Sequence, residues 1–532
     1  MKSEKLFDCI TEIKEEFIEE GENEKFPKQK ISIRKIAGMA AAFFIGVVAL
    51  GTIGILFAPK ASAGGGINRE PGENYMSYAG PAFPLAATED TAGLEFERSI
   101  NFDFSPYYTY NESYENGNGE TVYYDAWKND AMISDNYTVY NTTGEDITFT
   151  AVYPFAGNIS TALSRIPQIT VDGKEVETEL KIGPYSGGFA SAWGEKSEVE
   201  RLNLSSLESW YEYKALLESG DYLKDAFGEN PKMEQSVKVY SFEIEYNIPM
   251  TEFDEIENPD MMVTFDYDTE KSNVYFYGFN SLRWNEDEGW VKAGSYIPKS
   301  FSPDFENHPI YIIVTGEDIE NIGVKTVSGE SKGSWDEREE TEVFGITSEK
   351  YESTLGEAIY EIISSGDYES HYFDEEPTVR NLISNEEYLG YVAEFMYAHG
   401  QLSEDPAERY DRGRLDDIII ETGHVSRVMY LTFEVTVPAG GTLEIGTKTL
   451  REASYDFVGK RHEKDLEGFD LVTRLGTNLN ITKQKASVSN AEEIEIVYNN
   501  FGFDLPNGIS SVVLGEEEHY WMEICKIRAE KG

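Results

Sequence analysis

The chain carries 98 Asp and Glu residues against 45 Lys and Arg over 532 positions, a formal net charge of −53. Phosphate backbones are bound by clustered basic side chains, so this balance argues against a nucleic-acid partner. An aromatic share of 13% excludes a wholly disordered chain and implies real apolar cores.

From the N-terminus, Leu6, Ile10, Ile13 and Phe17 recur at helical spacing and form one apolar stripe, which Gly21 ends. A helix this short is marginal alone in water and needs a cover. Residues 1–24 hold nine acidic and three basic side chains, which disfavours anionic lipid as that cover. The expectation is a helix that docks in a groove of a cytosolic protein. The competing expectation is a solvated leader without function.

A basic spacer with Lys25, Lys28, Lys30, Arg34 and Lys35 comes next. Ile36 to Ala58 then runs 23 residues without a charge, roughly 35 Å as a helix and enough to cross a bilayer. Its bulky lipid-facing positions are Ile36, Phe43, Phe44, Leu50, Ile55 and Phe57. The basic residues before the run place the N-terminus in the cytosol and everything after Ala58 outside the cell. Ala61-Ser62-Ala63 has the form of a signal-peptidase site, so cleavage after Ala63 stands as a second reading. The two cysteines, Cys9 and Cys525, fall on opposite sides of the membrane in the first reading, so cores rather than disulfides must hold the exterior.

The stretch LFDCITEIKEEFIEEG, the Lys/Arg-rich spacer and ISIRKIAGMAAAFFIGVV together resemble the start of single-pass membrane proteins of Gram-positive bacteria that are laid out like anti-sigma factors. The likeness covers about the first 60 residues. It implies a cytosolic helix that holds a sigma factor and an exterior that senses. Only one Cys and no His precede Ile36, so a zinc-binding cytosolic domain is not implied.

A Gly-, Pro- and Ala-rich linker spans 59–95. Beyond it, alternating segments read as strands: Tyr137–Tyr140 and Ile147–Tyr153 on either side of Asn141–Asp146, and Met429–Val437 with Leu443 and Ile445 returning after Pro438–Gly441. Asp172-Gly173 between Ile169–Val171 and Val176–Ile182 is the strongest hairpin signal. Capping boxes at Ser205/Glu208, Thr354/Glu357 and Ser384/Glu387 open helices, and another helix begins near Asp405-Pro406. The expected fold is α+β: an antiparallel, sandwich-like, β-rich ectodomain with short helical insertions. Two consecutive modules are expected, 96–300 and 301–532, the second with a helical insertion at about 350–422. Thr143–Ile147 repeats as Thr315–Ile319, Ser219–Tyr222 as Ser365–Tyr368, and Phe242–Ile244 as Phe433–Val435. An internal duplication is one explanation, and chance recurrence of turns and strands is the other.

Motifs for chemistry are sparse. Gly329-Glu-Ser331-Lys-Gly333 has nucleophile-elbow spacing within a polar run that reads as a loop. Gly441–Thr449 approaches a phosphate loop, but its alternation makes it a strand. The six histidines form no ligand pair, and Asp266-Tyr-Asp268-Thr-Glu270 lacks the glycine and the final Glu of a calcium loop, so calcium would need distant carboxylates. No catalytic, cofactor-binding or metal residue is assigned. Tyrosines crowd 107–124, and aromatics crowd 275–284, as exposed contact surfaces for protein or glycan or as strand cores. The expected function is a membrane-anchored regulator: extracellular sensing coupled to a docked cytosolic helix. The alternative is a cell-surface binding or adhesion protein with no signalling role.

Overall fold

The computed structural model describes residue 75 and residues 79–115, 121–183, 233–285, 288–300, 309–329, 338–365, 376–398, 401–402, 413–456 and 459–527. The expected cytosolic helix, the apolar run at 36–58 and the helix opened by Ser205 lie outside these residues. No described helix is long and apolar enough to cross a membrane.

The described chain is strand-rich and its sheets are largely antiparallel. The longer strands run first as β1 (Leu94–Asp103), β2 (Asp130–Asn141) and β3 (Ile147–Gly157). Then come β4 (Ser236–Tyr246), β5 (Asp260–Asp266), β6 (Ser272–Tyr277), β7 (Trp290–Tyr296), β8 (Ile310–Gly316), β9 (Glu320–Ser328) and β10 (Phe344–Thr354). Helices α1 (Leu355–Ser365), α2 (Asn385–Ala398) and α3 (Leu415–His424) follow, and β11 (Arg427–Val437), β12 (Thr442–Glu452), β13 (Glu467–Val472), β14 (Ile481–Ser489) and β15 (His519–Lys526) complete the set.

Pairing is nested rather than sequential. β2 pairs with β12, β3 pairs with β11, and β1 runs parallel to β14. The first and last parts of the described chain thus share two sheets, and β13 with β15 forms a third. The strands between them keep to themselves: β6-β8-β4-β10 make one sheet, and β7-β5-β9 are the middle of another. The division expected at residue 300 is therefore crossed by the β4–β8, β4–β10 and β5–β9 pairs. Alternation tells which face a residue takes, but it is silent on which distant strand lies beside it.

Consecutive strands also change sheet where a simple hairpin looks natural. β2 and β3, on either side of Asn141–Asp146, enter different sheets, as do β11 and β12 on either side of Pro438–Gly441. The Asp172-Gly173 hairpin forms, with positive φ of 48° and 73° at its two central residues, as a tight primed turn requires. Its second arm is only Lys174–Glu175, and Glu179–Ile182 crosses to pair with β11. The repeated Thr-Gly-Glu-Asp-Ile segments both mark a change of sheet, β2 to β3 and β8 to β9. Their surroundings differ: β11 pairs with the strand after the first copy, whereas β4 pairs with the strand before the second.

Three apolar cores result. β1 alternates inward, so Leu94 and Phe96 enter a first core and Ile100 and Phe102 a second, which β13 and β15 close with Phe469, Leu471 and Met522. In the β6-β8-β4-β10 sheet, β6 and β8 are buried on both faces. Val274, Phe276, Ile312 and Val314 meet the β5 sheet in a third core. Tyr275, Tyr277 and Ile313 face the helices in the first. Each such side chain contributes about 1.5–3 kcal/mol on burial. The aromatics of 275–279 are therefore core: Tyr275, Phe276, Tyr277 and Phe279 are all buried.

Two helix starts are as the sequence predicts. Glu357 N donates to Thr354 Oγ1 while Thr354 N donates to Glu357 Oε2, each at 3.2 Å. Ser384 and Glu387 repeat the exchange at 2.7 and 3.2 Å. The helices are tied to the sheet by Gly278 N donating to Asp416 Oδ1 at 2.9 Å and Tyr275 Oη donating to the Gln401 carbonyl at 2.7 Å.

Candidate functional site

Residues 79–87, inside the 59–95 stretch expected as a linker, are instead built into the fold. Ala82 N donates to the Asp470 carbonyl at 2.9 Å and Val472 N to the Ala82 carbonyl at 3.1 Å, which attaches the segment to β13. Ala86 and Ala87 pair with β3. Phe83 and Leu85 are buried in the first core. Four residues upstream of the continuous segment, Tyr75 Oη donates to Glu523 Oε1 at 2.8 Å, under the Arg461 guanidinium 4.3 Å from its ring. Burial, with the Glu523 carboxylate beside it, holds the Tyr75 phenol protonated well above its usual range.

Where this segment passes the ends of β3 and β12, a cleft of about 210 Å³ opens. Pro81 and Phe83, Tyr153 and Phe155 of β3, and Thr449 and Arg451 of β12 line it. Arg165, at the end of a short 3₁₀ turn, reaches in from the side. Its guanidinium grips buried Asp130 with two bonds of 2.9 and 3.3 Å, so its charge is matched and its plane fixed. Arg451 Nη2 donates to the Ala79 carbonyl at 2.8 Å, and Ala79 N donates to Ser454 Oγ at 2.9 Å. Glu452 stands at the rim. Asn158 and Thr161 satisfy one another: Asn158 N donates to Thr161 Oγ1 at 2.9 Å, and that hydroxyl donates to Asn158 Oδ1 at 3.1 Å. Thr449 Oγ1 is buried without a hydrogen-bond partner. Such a group costs about 1–3 kcal/mol in desolvation unless something meets it.

Beside the cleft, at the crossing of the first and second cores, Arg98 and Asp135 form a fully buried pair. Arg98 Nε and Nη2 donate to the Asp135 carboxylate at 2.7–3.1 Å. Its remaining donors go to the Val472 and Phe83 carbonyls at 2.7 and 3.1 Å and to Gln484 Oε1 at 3.5 Å. Tyr137 Oη donates to Asp135 Oδ2 at 3.0 Å and accepts from Leu85 N at 2.9 Å. Burial raises the Asp135 carboxyl against the pull of Arg98 and the tyrosine hydroxyl. This network clamps both sides of the 79–87 segment to the outer sheets.

The residues expected to act before the linker, Leu6, Ile10, Ile13 and Phe17 for docking and Ile36, Phe43, Phe44, Leu50, Ile55 and Phe57 for the membrane, lie outside the described residues. So do Ser331 and Gly333 of the elbow-like motif. Gly441–Thr449 is largely strand β12. No group of His, Cys, Asp and Glu suited to a metal ion occurs among the described residues. Asp268 instead pairs with Lys271 at 2.9 Å. Ser160 Oγ lies 3.5 Å from His424 Nδ1, but its proton goes to the Gly423 carbonyl at 3.0 Å, which leaves no activated nucleophile. Tyr108 and Tyr123 of the 108–128 hairpin are exposed, at 44% and 72%, while neighbouring Tyr107 is buried.

Sequence reasoning missed the cleft and the clamp. The clamp had a signal: Arg98 interrupts the inward row Leu94, Phe96, Ile100 and Phe102, and Asp135 interrupts Ile133, Tyr137 and Val139. A charge at an inward position asks for a buried partner. The cleft had none, because Ala79, Arg165 and Arg451 meet only through the nested pairing. Neither the protein-family models nor the curated proteins include a match to the chain.

Proposed function

We propose that the protein is a single-pass bacterial membrane protein whose β-rich, sandwich-like exterior senses an extracellular signal and passes it to a cytosolic helix that docks a partner, in the manner of an anti-sigma factor. The apolar run at 36–58 supplies the anchor, and the stripe Leu6, Ile10, Ile13 and Phe17 the docking face. One observation carries the coupling. Residues 79–87, in the second half of the expected linker, are locked between the outer sheets by Arg98, Tyr137, Arg451 and backbone bonds to β13, so a change there acts on the tether to the membrane.

The test uses the full-length protein in its native membrane. Cross-linking recovers a cytosolic partner with the wild type, and Leu6/Ile10/Ile13/Phe17→Ala abolishes the recovery. Equal recovery by both forms overturns the regulatory reading. The exposed Tyr108 and Tyr123 favour the second reading, a surface binding protein whose tail merely orients it, and that reading expects no difference between the two forms.

A further inference from the structure

We propose that the outer face of the β13–β15 pair carries a socket for one phenol ring, which Tyr75 fills as a releasable latch. Its consequence for signalling rests on the sensor reading above, but the socket itself does not.

Three contacts define what the socket accepts. Glu523 Oε1 takes the phenol hydrogen at 2.8 Å, and an ionised carboxylate is an acceptor only, so the hydroxyl must donate. The Arg461 guanidinium stands 4.3 Å from the ring centroid, a cation–π distance that asks for an aromatic face. Gly468 of β13, directly opposite Glu523 in the ladder, gives the ring its floor. A methyl group added at Gly468 would overlap Cζ, Oη and Cε2 of Tyr75. A glycine inside a strand often marks a place where another group approaches closely. Charge completes the selection. The buried Glu523 and Asp456 carboxylates both act against a phenolate, so the socket takes a neutral ring and refuses an anionic one.

The socket stands ready without its occupant. Arg461 Nε donates to Glu523 Oε1 at 2.6 Å, and Arg461 Nη1 lies 3.6 Å from Asp456 Oδ2. Withdrawal of Tyr75 therefore leaves these buried charges paired. Tyr75 belongs to none of the three apolar cores. The chain is fixed independently at Ala79, through Arg451 and Ser454, so withdrawal does not undo the 79–87 segment. Among the described residues, Tyr75 is the first one fixed to the ectodomain and Ala79 the next. Release moves that first fixed point from Tyr75 to Ala79, up to about 14 Å of extended chain. On the sensor reading, that shift changes the reach of the tether to the membrane.

The experiment uses the full-length protein in nanodiscs and p-cresol, the tyrosine side chain as a free molecule, as the probe. Calorimetry with empty nanodiscs subtracted reads binding, and chymotrypsin cleavage after Tyr75 reads the latch. Tyr75→Gly stays folded and binds p-cresol saturably. It binds 4-methylanisole, which has no hydroxyl hydrogen, about tenfold more weakly or worse, and 4-methylbenzoate does not compete. Wild type, its socket filled, shows no saturable site. Gly468→Ala, at a strand position that alanine tolerates, expels the ring, so cleavage after Tyr75 speeds up while Tm holds. Joined with Tyr75→Gly, it abolishes cresol binding. The proposal is overturned if Tyr75→Gly binds no p-cresol up to ~10 mM, if it binds 4-methylanisole equally well, if 4-methylbenzoate displaces the cresol, or if wild type binds p-cresol as tightly. It is also overturned if Gly468→Ala is cut after Tyr75 no faster than wild type. Loss of fold in Tyr75→Gly makes Tyr75 a core residue and overturns the latch as well. Cresol binding together with failure of the cross-linking test above leaves a latch without signalling. A positive cross-linking test without cresol binding removes this proposal alone.

Discussion

Strands β1 and β2 are long enough to face two cores in turn along one side of a sheet, and at the crossing point they carry Arg98 and Asp135. Strands β6 and β8 also serve two cores, but from opposite faces, and the side chains they send into both are aromatic and aliphatic. Succession along one face leaves a seam where neither core closes fully, and the seam is filled by a charged pair whose donors tie down the 79–87 segment. Opposition across a sheet leaves no seam, so apolar packing suffices. The Arg98–Asp135 pair thus marks a junction between cores and the place where a third segment is held.

The sharpest way to break the comparison is to remove one partner of the seam. Arg98→Met strands the Asp135 carboxylate among apolar side chains and destabilises the protein by about 3–5 kcal/mol in chemical denaturation. Joining it with Asp135→Leu restores most of that loss, since an apolar pair of similar volume fills the seam. If the single and double variants are equally unstable, the charge pair is not what closes the junction. In the inserted sheets the corresponding change is a truncation. Phe276→Ala costs about 3–4 kcal/mol through the cavity it opens between the facing sheets, while amide exchange of residues 79–87 stays at the wild-type rate. Faster exchange there would mean that the two regions do not differ in the way described.

A smaller effect concerns the helix layer. Asp416 is held by Gly278 N, and burial, augmented by nearby Asp417, lifts its carboxyl to about 7. The folded chain therefore keeps a proton that the unfolded chain gives up above about pH 4. Stability contributed in this way is full at low pH and declines as pH rises from about 4 toward 7. Asp416→Asn removes that slope and stabilises the protein at pH 8 by about 1–2 kcal/mol; an unchanged stability–pH curve would sink the assignment. The smallest expected effect is at the helix starts. Thr354→Ala and Ser384→Ala each cost about 1 kcal/mol in thermal unfolding, and equal costs are expected because both boxes have the same two bonds.

What was legible in the sequence is what depends on neighbours along the chain. The Thr354/Glu357 and Ser384/Glu387 boxes, the Asp172-Gly173 turn and the alternation of β11 all follow from contacts spanning a few residues. The nested pairing does not, because β2 finds β12 and β1 finds β14 across an insertion that no local pattern announces. The cleft inherits that difficulty: Arg451 and the Ala79 carbonyl it holds are 372 positions apart. The seam was half legible, since a charge at an inward position shows in the alternation of β1, but its partner's identity required the register of β1 against β2.

The nesting also sets an order of assembly as the chain is synthesised. The β6-β8-β4-β10 sheet has all its strands once Thr354 has emerged, whereas β1 gains its parallel neighbour only when Ile481–Ser489 arrive. Throughout that interval one edge of β1 stands open, and an open edge invites pairing with another nascent chain. On the face turned away from the cores, β1 carries Glu95, Glu97, Ser99, Asn101 and Asp103. Part of the chain's large negative charge thus lies where it repels a wrong partner during the wait for the right one.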